Sequence, residues 1–164
     1  MFYIKYTTMK SKLLIAAIFS FFCIALQAQD DTAITDEELE RYAIMMDSIE
    51  EMKADLMAEI TEMVKNNDSI SVSRYNDLFR IIDDEAKLQE ANATAQEINA
   101  VRKVQERKDA GTAEINEAFQ SMAKEYVGAS SYNKIKKALN ADTELKAKYQ
   151  GMLDKLKEDN QEQG

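Results

Sequence analysis

Thr35-Asp36-Glu37-Glu38-Leu39-Glu40-Arg41-Tyr42 opens the stretch that decides the fold, which runs on to Lys65. Thr35 and Glu38 are spaced as a capping box. The threonine hydroxyl can accept from the amide three residues on, and the glutamate can reach back to the threonine amide. Asp36 and Glu37 suit the positive end of a helix dipole. Leu39, Tyr42, Met46, Ile49, Leu56, Ile60 and Met63 then recur in alternating steps of three and four, with a polar hole at Lys53. That is a heptad stripe, and it predicts one helix from Asp36 to about Lys65, closed by Asn66-Asn67-Asp68. Thirty residues at 1.5 Å each make a rod of roughly 45 Å. A rod so striped needs a partner helix.

The rest of the chain points the same way. There is no proline, histidine or tryptophan, and only four glycines, at 111, 128, 151 and 164. Without proline the commonest helix breaker is missing. Ser71 or Ser73 can cap a short helix carrying Leu78, Phe79, Ile81 and Ile82. Asp83-Asp84 interrupts it and caps the next element, a helical stretch through Leu88, Ala91, Ala95, Ile98, Val101 and Val104. Residues 105–112 lack any large apolar side chain and include Gly111. They predict a turn between helices, the alternative being a continuous helix with a solvated middle. Ile115, Phe119, Met122 and Tyr126 resume the stripe.

A repeat lies across these elements. Ile70-Ser71-Val72-Ser73-Arg74-Tyr75-Asn76-Asp77-Leu78 matches Val127-Gly128-Ala129-Ser130-Ser131-Tyr132-Asn133-Lys134-Ile135 at an offset of 57. Ile82, Asp83 and Leu88 continue onto Leu139, Asn140 and Leu145. With a shift of two more, Leu56, Ile60 and Met63 match Ile115, Phe119 and Met122. The expected fold is all-α: a small helical bundle with one long heptad helix and two pseudo-repeated short helical hairpins.

Two of these segments carry a likeness. Ile34-Thr35-Asp36-Glu37-Glu38-Leu39-Glu40-Arg41-Tyr42-Ala43, and Tyr126 to Ile135 with Asp142-Thr143-Glu144-Leu145 after it, resemble the exported bacterial family designated domain of unknown function 4168. The likeness spans about residues 33–157. Thr143 departs from the family's usual proline, and Gly128 stands where a hydroxyl residue is usual. The resemblance implies export and a helical fold; it brings no activity and no catalytic residues.

Upstream, Lys10 and Lys12 lead into the apolar run Leu13 to Leu26, and Ala28 offers a small residue for cleavage. This reads as a signal peptide, residues 1–28, starting at Met1 or at Met9. The run is short of the roughly 20 residues that span a bilayer. Cys23 comes after Phe22 rather than a small residue, which argues against lipid attachment. The expected product is periplasmic or secreted, with no membrane span after cleavage. It would comprise a disordered acidic leader over 29–34, a helical domain over 35–158 and a disordered tail over 159–164. Removing three lysines and no acid takes the net charge from −9 to −12. Nucleic acid and anionic surfaces are then repelled, so no nucleic-acid binding is expected.

Catalysis has little to work with. No histidine exists to activate a serine, and the one cysteine lies in the apolar run. Ser131 and Lys134 read as a cap and a surface residue. The acids Glu37, Glu38 and Glu40, and Asp83, Asp84 and Glu85, read as caps and solvated faces rather than acid–base pairs. Neither the His and Cys that zinc prefers nor a calcium loop around Asp68, Asp83 or Asp84 is present. The expectation is no enzyme, no catalytic residue, no cofactor and no metal.

What remains is binding. Met45, Met46, Met52, Met57 and Met63 crowd one helix; they suit either a pliable core or an adaptable client surface. Tyr75-Asn76 and Tyr132-Asn133 suit rings tucked under the bundle rather than paired binding spots. Lys134, Lys136, Lys137, Lys146 and Lys148 can complement the acidic first helix. The function expected is a noncatalytic interaction or structural protein of the cell envelope, with an unknown protein partner or self-association through the first helix. The alternative is a periplasmic holdase using the methionine-rich face.

Overall fold

The computed structural model describes residues 33–162. The expected signal peptide lies outside them. Within them the chain is helical with no strand. The helices are α1 (Asp36–Lys65), α2 (Val72–Phe79), α3 (Glu85–Glu90), α4 (Ala95–Ser121), α5 (Ala129–Ala138) and α6 (Thr143–Glu162), with a π-helical turn, Met122–Tyr126, joining α4 towards α5. No helix among the described residues is long and apolar enough to cross a membrane.

α1 begins and ends where its sequence directs. Thr35 Oγ1 accepts from the Glu38 amide at 3.2 Å, and the Thr35 amide donates to Glu38 Oε2 at 2.9 Å. Ser71, not Ser73, caps α2 by accepting from the Arg74 amide. Asp84 caps α3, and Asp142 Oδ1 accepts from the Glu144 and Leu145 amides at the start of α6. α6 runs to Glu162, beyond the expected boundary at 158.

Two expectations need correction. Residues 105–112 do not turn: α4 is continuous through them, and Gly111 is buried in its interior. The reason is across the interface. A Cβ at Gly111 would stand 2.5 Å from Leu56 Cδ1, so the missing side chain lets α1 and α4 approach closely there. Conversely, the stretch from Leu88 to Val104 is not one helix. Asn92 adopts a left-handed φ of 51°, the Ala93 amide reaches back to the Leu88 carbonyl and the Asn92 amide to that of Gln89. This Schellman ending stops α3, and a second capping box, Thr94 with Glu97, starts α4.

α1 and α4 lie side by side and antiparallel. Leu56 meets Gly111, Glu59 meets Arg107, and Met45 shares a core with Met122. Each end of this pair carries its own core. One gathers Ile70, Leu78, Ile82, Leu88, Ala100 and Val101 from α2, α3, the turns before and between them and the start of α4. The other gathers Leu39, Tyr42, Met45, Val127 and Ile135 from the start of α1, the end of the π-turn and α5, with Tyr149 and Met152 of α6 against them. Matched residues take matched places: Ile70 and Val127 are buried, and Leu78 and Ile135 are fully so. The two-residue difference in offset is absorbed where α1 uses the loop 66–71 and α4 uses the π-turn. There the Val127 amide donates to the Met122 carbonyl at 2.9 Å.

Candidate functional site

Three of the singled-out polar residues, Glu38, Ser131 and Lys134, form one structural clamp. Glu38 accepts from Ser131 Oγ at 2.6 Å and from Lys134 Nζ at 3.1 Å on both carboxylate oxygens, while its own box with Thr35 is kept. Burial pushes the Glu38 carboxyl up, but hydrogen bonds from Ser131, Thr35 and Lys134 and the lysine charge outweigh it and hold the pKa at about 2. So weak a base cannot activate the serine. At the other end the pattern recurs. Arg74 Nε donates to Glu97 at 2.9 Å and Arg74 Nη2 to the Ala91 carbonyl at 2.9 Å. The hydrogen bond from Arg74 leads in lowering Glu97 to about 2. In each half a short helix thus grips the glutamate that caps the start of a long one.

Of the remaining acidic candidates, Glu40, Asp68, Asp83 and Glu85 are solvent-exposed and the other two are paired. Glu37 pairs with Arg41 at 3.3 Å, and Asp84 with Lys87 at 2.8 Å. Lys148 pairs with Asp36, so two of the five lysines do face the acidic start of α1. Tyr132 lies against Tyr42 and Phe119, and Tyr75 stacks on Phe79. Burial, with the neighbouring tyrosines Tyr132 and Tyr149, raises the Tyr42 hydroxyl to about 12. Among the described residues no group of three His, Cys, Asp or Glu side chains is placed to hold a metal ion.

The apolar stripe of α1 has two fates. Its first half, Leu39, Tyr42 and Ile49, is buried, together with the off-stripe Met45. Its second half, Leu56, Ile60 and Met63, is only half-buried, and Met57 stands 63% exposed. There α1 and α4 form a groove of about 350 Å³. Leu56, Met57 and Ile60 line it from α1, and Thr112, Ile115 and Asn116 from α4, with Lys53 and Lys108 beside them. The groove exists because the two hairpins cover the two ends of the α1–α4 pair, while only α1 and α4 residues line its middle.

A larger hollow of about 610 Å³ lies between α3 and the start of α4. Asp83, Glu85, Gln89, Asn99 and Arg102 ring it. Water satisfies such a rim. The smaller groove is the better candidate, because the walls it exposes are almost wholly apolar.

Sequence reasoning named Leu56, Met57, Ile60 and the Lys53 hole and expected the whole stripe to be buried, in the bundle or by self-association. It named Ile115 as a stripe residue but did not bring it to Leu56, and it missed Lys108, Thr112 and Asn116, because a turn at Gly111 would have carried them elsewhere. The signal was the polar run 105–112 itself, which is how one solvated helix face looks. No family model, curated protein or solved structure matches this chain.

Proposed function

We infer that this chain is a noncatalytic interaction protein, that it is exported to the cell envelope as its likeness to the exported family implies, and that the α1–α4 groove is its contact surface. The observation that carries this reading is the half-buried Leu56 and Ile60 beside exposed Met57. The apolar stripe of α1, interrupted at Lys53, is sealed by the bundle in its first half and left partly open in its second. Ser131, Lys134, Lys148 and Glu38, by contrast, are consumed in a helix cap and in ion pairs between helices.

The test is site-specific photocrosslinking in cells. A crosslinker at Met57 is expected to capture a defined partner, and one at exposed Glu106 is not. No capture at Met57, or equal capture at both, would refute the groove as the contact surface. Fractionation of the same cells tests the expected export.

The holdase reading keeps one observation in its favour, the exposed Met57 thioether on an apolar rim. It loses ground from the other methionines of α1, since Met45 is fully buried and Met46, Met52 and Met63 are half-buried. It predicts suppression of aggregation of an unrelated denatured protein at near-stoichiometric dose. No suppression at several-fold excess would eliminate it.

A further inference from the structure

We propose that the α1–α4 groove binds a single-chain anionic amphiphile, an alkyl carboxylate whose chain lies against Leu56, Met57, Ile60 and Ile115. This rests on the groove being the contact surface and names its ligand class. Three observations carry it. The first is size. At about 350 Å³ the groove falls at the low end of small-ligand sites, roughly 300–1,000 Å³.

The second is shape. Its lining residues run from Lys53 to Ile60 on α1 and from Lys108 to Asn116 on α4, roughly 10–12 Å of the antiparallel seam against which an extended chain can lie. The third is charge. In a protein of net charge −9, both ionised residues lining the groove are lysines. By the antiparallel register Lys108 lies opposite about residue 59, so the lysines stand roughly 9 Å apart along the axis, one towards each end. An alkyl chain between them meets a cation with its carboxylate at either end. Neither lysine is locked away. Lys53 pairs only with Glu50, at 2.8 Å and with both side chains exposed, and Lys108 stands 5.6 Å over the Phe79 ring. Neighbouring Arg107, by contrast, is committed to Glu59 at 2.7 Å.

The experiment uses protein purified as the cell processes it, with ¹³C-methyl methionine, titrated with dodecanoate and separately with dodecyltrimethylammonium, below their micelle concentrations. Met57→Leu assigns the Met57 methyl signal. The expected result is a saturable one-site shift at Met57 with dodecanoate and none at buried Met45. Dodecyltrimethylammonium should bind about tenfold more weakly, the scale of two exposed charge contacts. In a K53E/K108E variant with unchanged helicity that preference should reverse. Absence of a saturable Met57 shift, equal binding of the two amphiphiles, or a preference unchanged in the variant would overturn the proposal. If Met57 captures a defined protein in cells while dodecanoate leaves its methyl unmoved, the ligand class fails and the contact surface stands. If both fail, both readings fall.

Discussion

Gly111 offers the sharpest test of how α1 and α4 fit together. Replacing a helix-interior glycine by alanine ordinarily stabilises by about 1 kcal/mol. Here the new methyl would sit 2.5 Å and 2.8 Å from the two Leu56 methyls and 2.8 Å from Arg107 Nη1. Something must shift. Arg107 is a flexible end, but Leu56 is wedged in the seam, and overpacking of this kind costs about 1–3 kcal/mol. The net effect of Gly111→Ala should be between neutral and about 2 kcal/mol destabilising. In a Leu56→Ala background the main obstacle is gone, and the same substitution should stabilise by about 1 kcal/mol. The double-mutant cycle therefore predicts a coupling of about 1–3 kcal/mol. Urea unfolding monitored by helical circular dichroism measures all four corners. Should Gly111→Ala stabilise by the full propensity gain in both backgrounds, close approach would not be the reason for this glycine.

The packing and the clamps give three further expected outcomes. Leu78→Ala and Ile135→Ala remove fully buried, matched side chains, and each should cost about 2–5 kcal/mol in urea unfolding. Leu39→Asp places a charge at a 1%-exposed site and should abolish folding, whereas Leu56→Asp, at a half-buried groove position, should leave a folded chain by circular dichroism. Glu38 and Glu97, with folded values near 2 against an ordinary 4.5, bind fewer protons folded than unfolded between those limits. Their stabilisation should be complete above about pH 4.5 and lost as pH falls towards 2. Glu38→Gln should cost about 1–3 kcal/mol at pH 7 and little at pH 2.5, read from urea midpoints across that range.

The parts legible in the sequence are those set by near neighbours. The Thr35–Glu38 box and the stripe from Leu39 to Met63 define α1 without reference to anything else. The repeat of Ser71–Leu78 in 128–135 also places equivalent residues correctly, since both copies solve the same local problem. Gly111 was not legible, because whether a polar, glycine-bearing stretch turns or continues depends on Leu56, a residue 55 positions away. The break at Asn92 was hidden for a different reason. Leu88, Ala91, Ala95 and Ile98 happen to keep helical spacing across it, although Thr94 and Glu97 repeat the spacing of Thr35 and Glu38. The groove could not be found before the register of α4 was known.

The two glutamate clamps look alike but close very different lengths of chain. Arg74 reaches Glu97 across 23 residues, and Ser131 reaches Glu38 across 93. On loop-entropy grounds the longer closure costs about 1.2 kcal/mol more. The core around α2, α3 and the start of α4 is made of near neighbours and should organise early. The core that joins α1 to α5 and α6 must wait until α4 has brought the chain's two ends together. Pulse-labelled amide exchange during refolding would then show protection arising first over residues 70–101, with α1 the last helix to be secured.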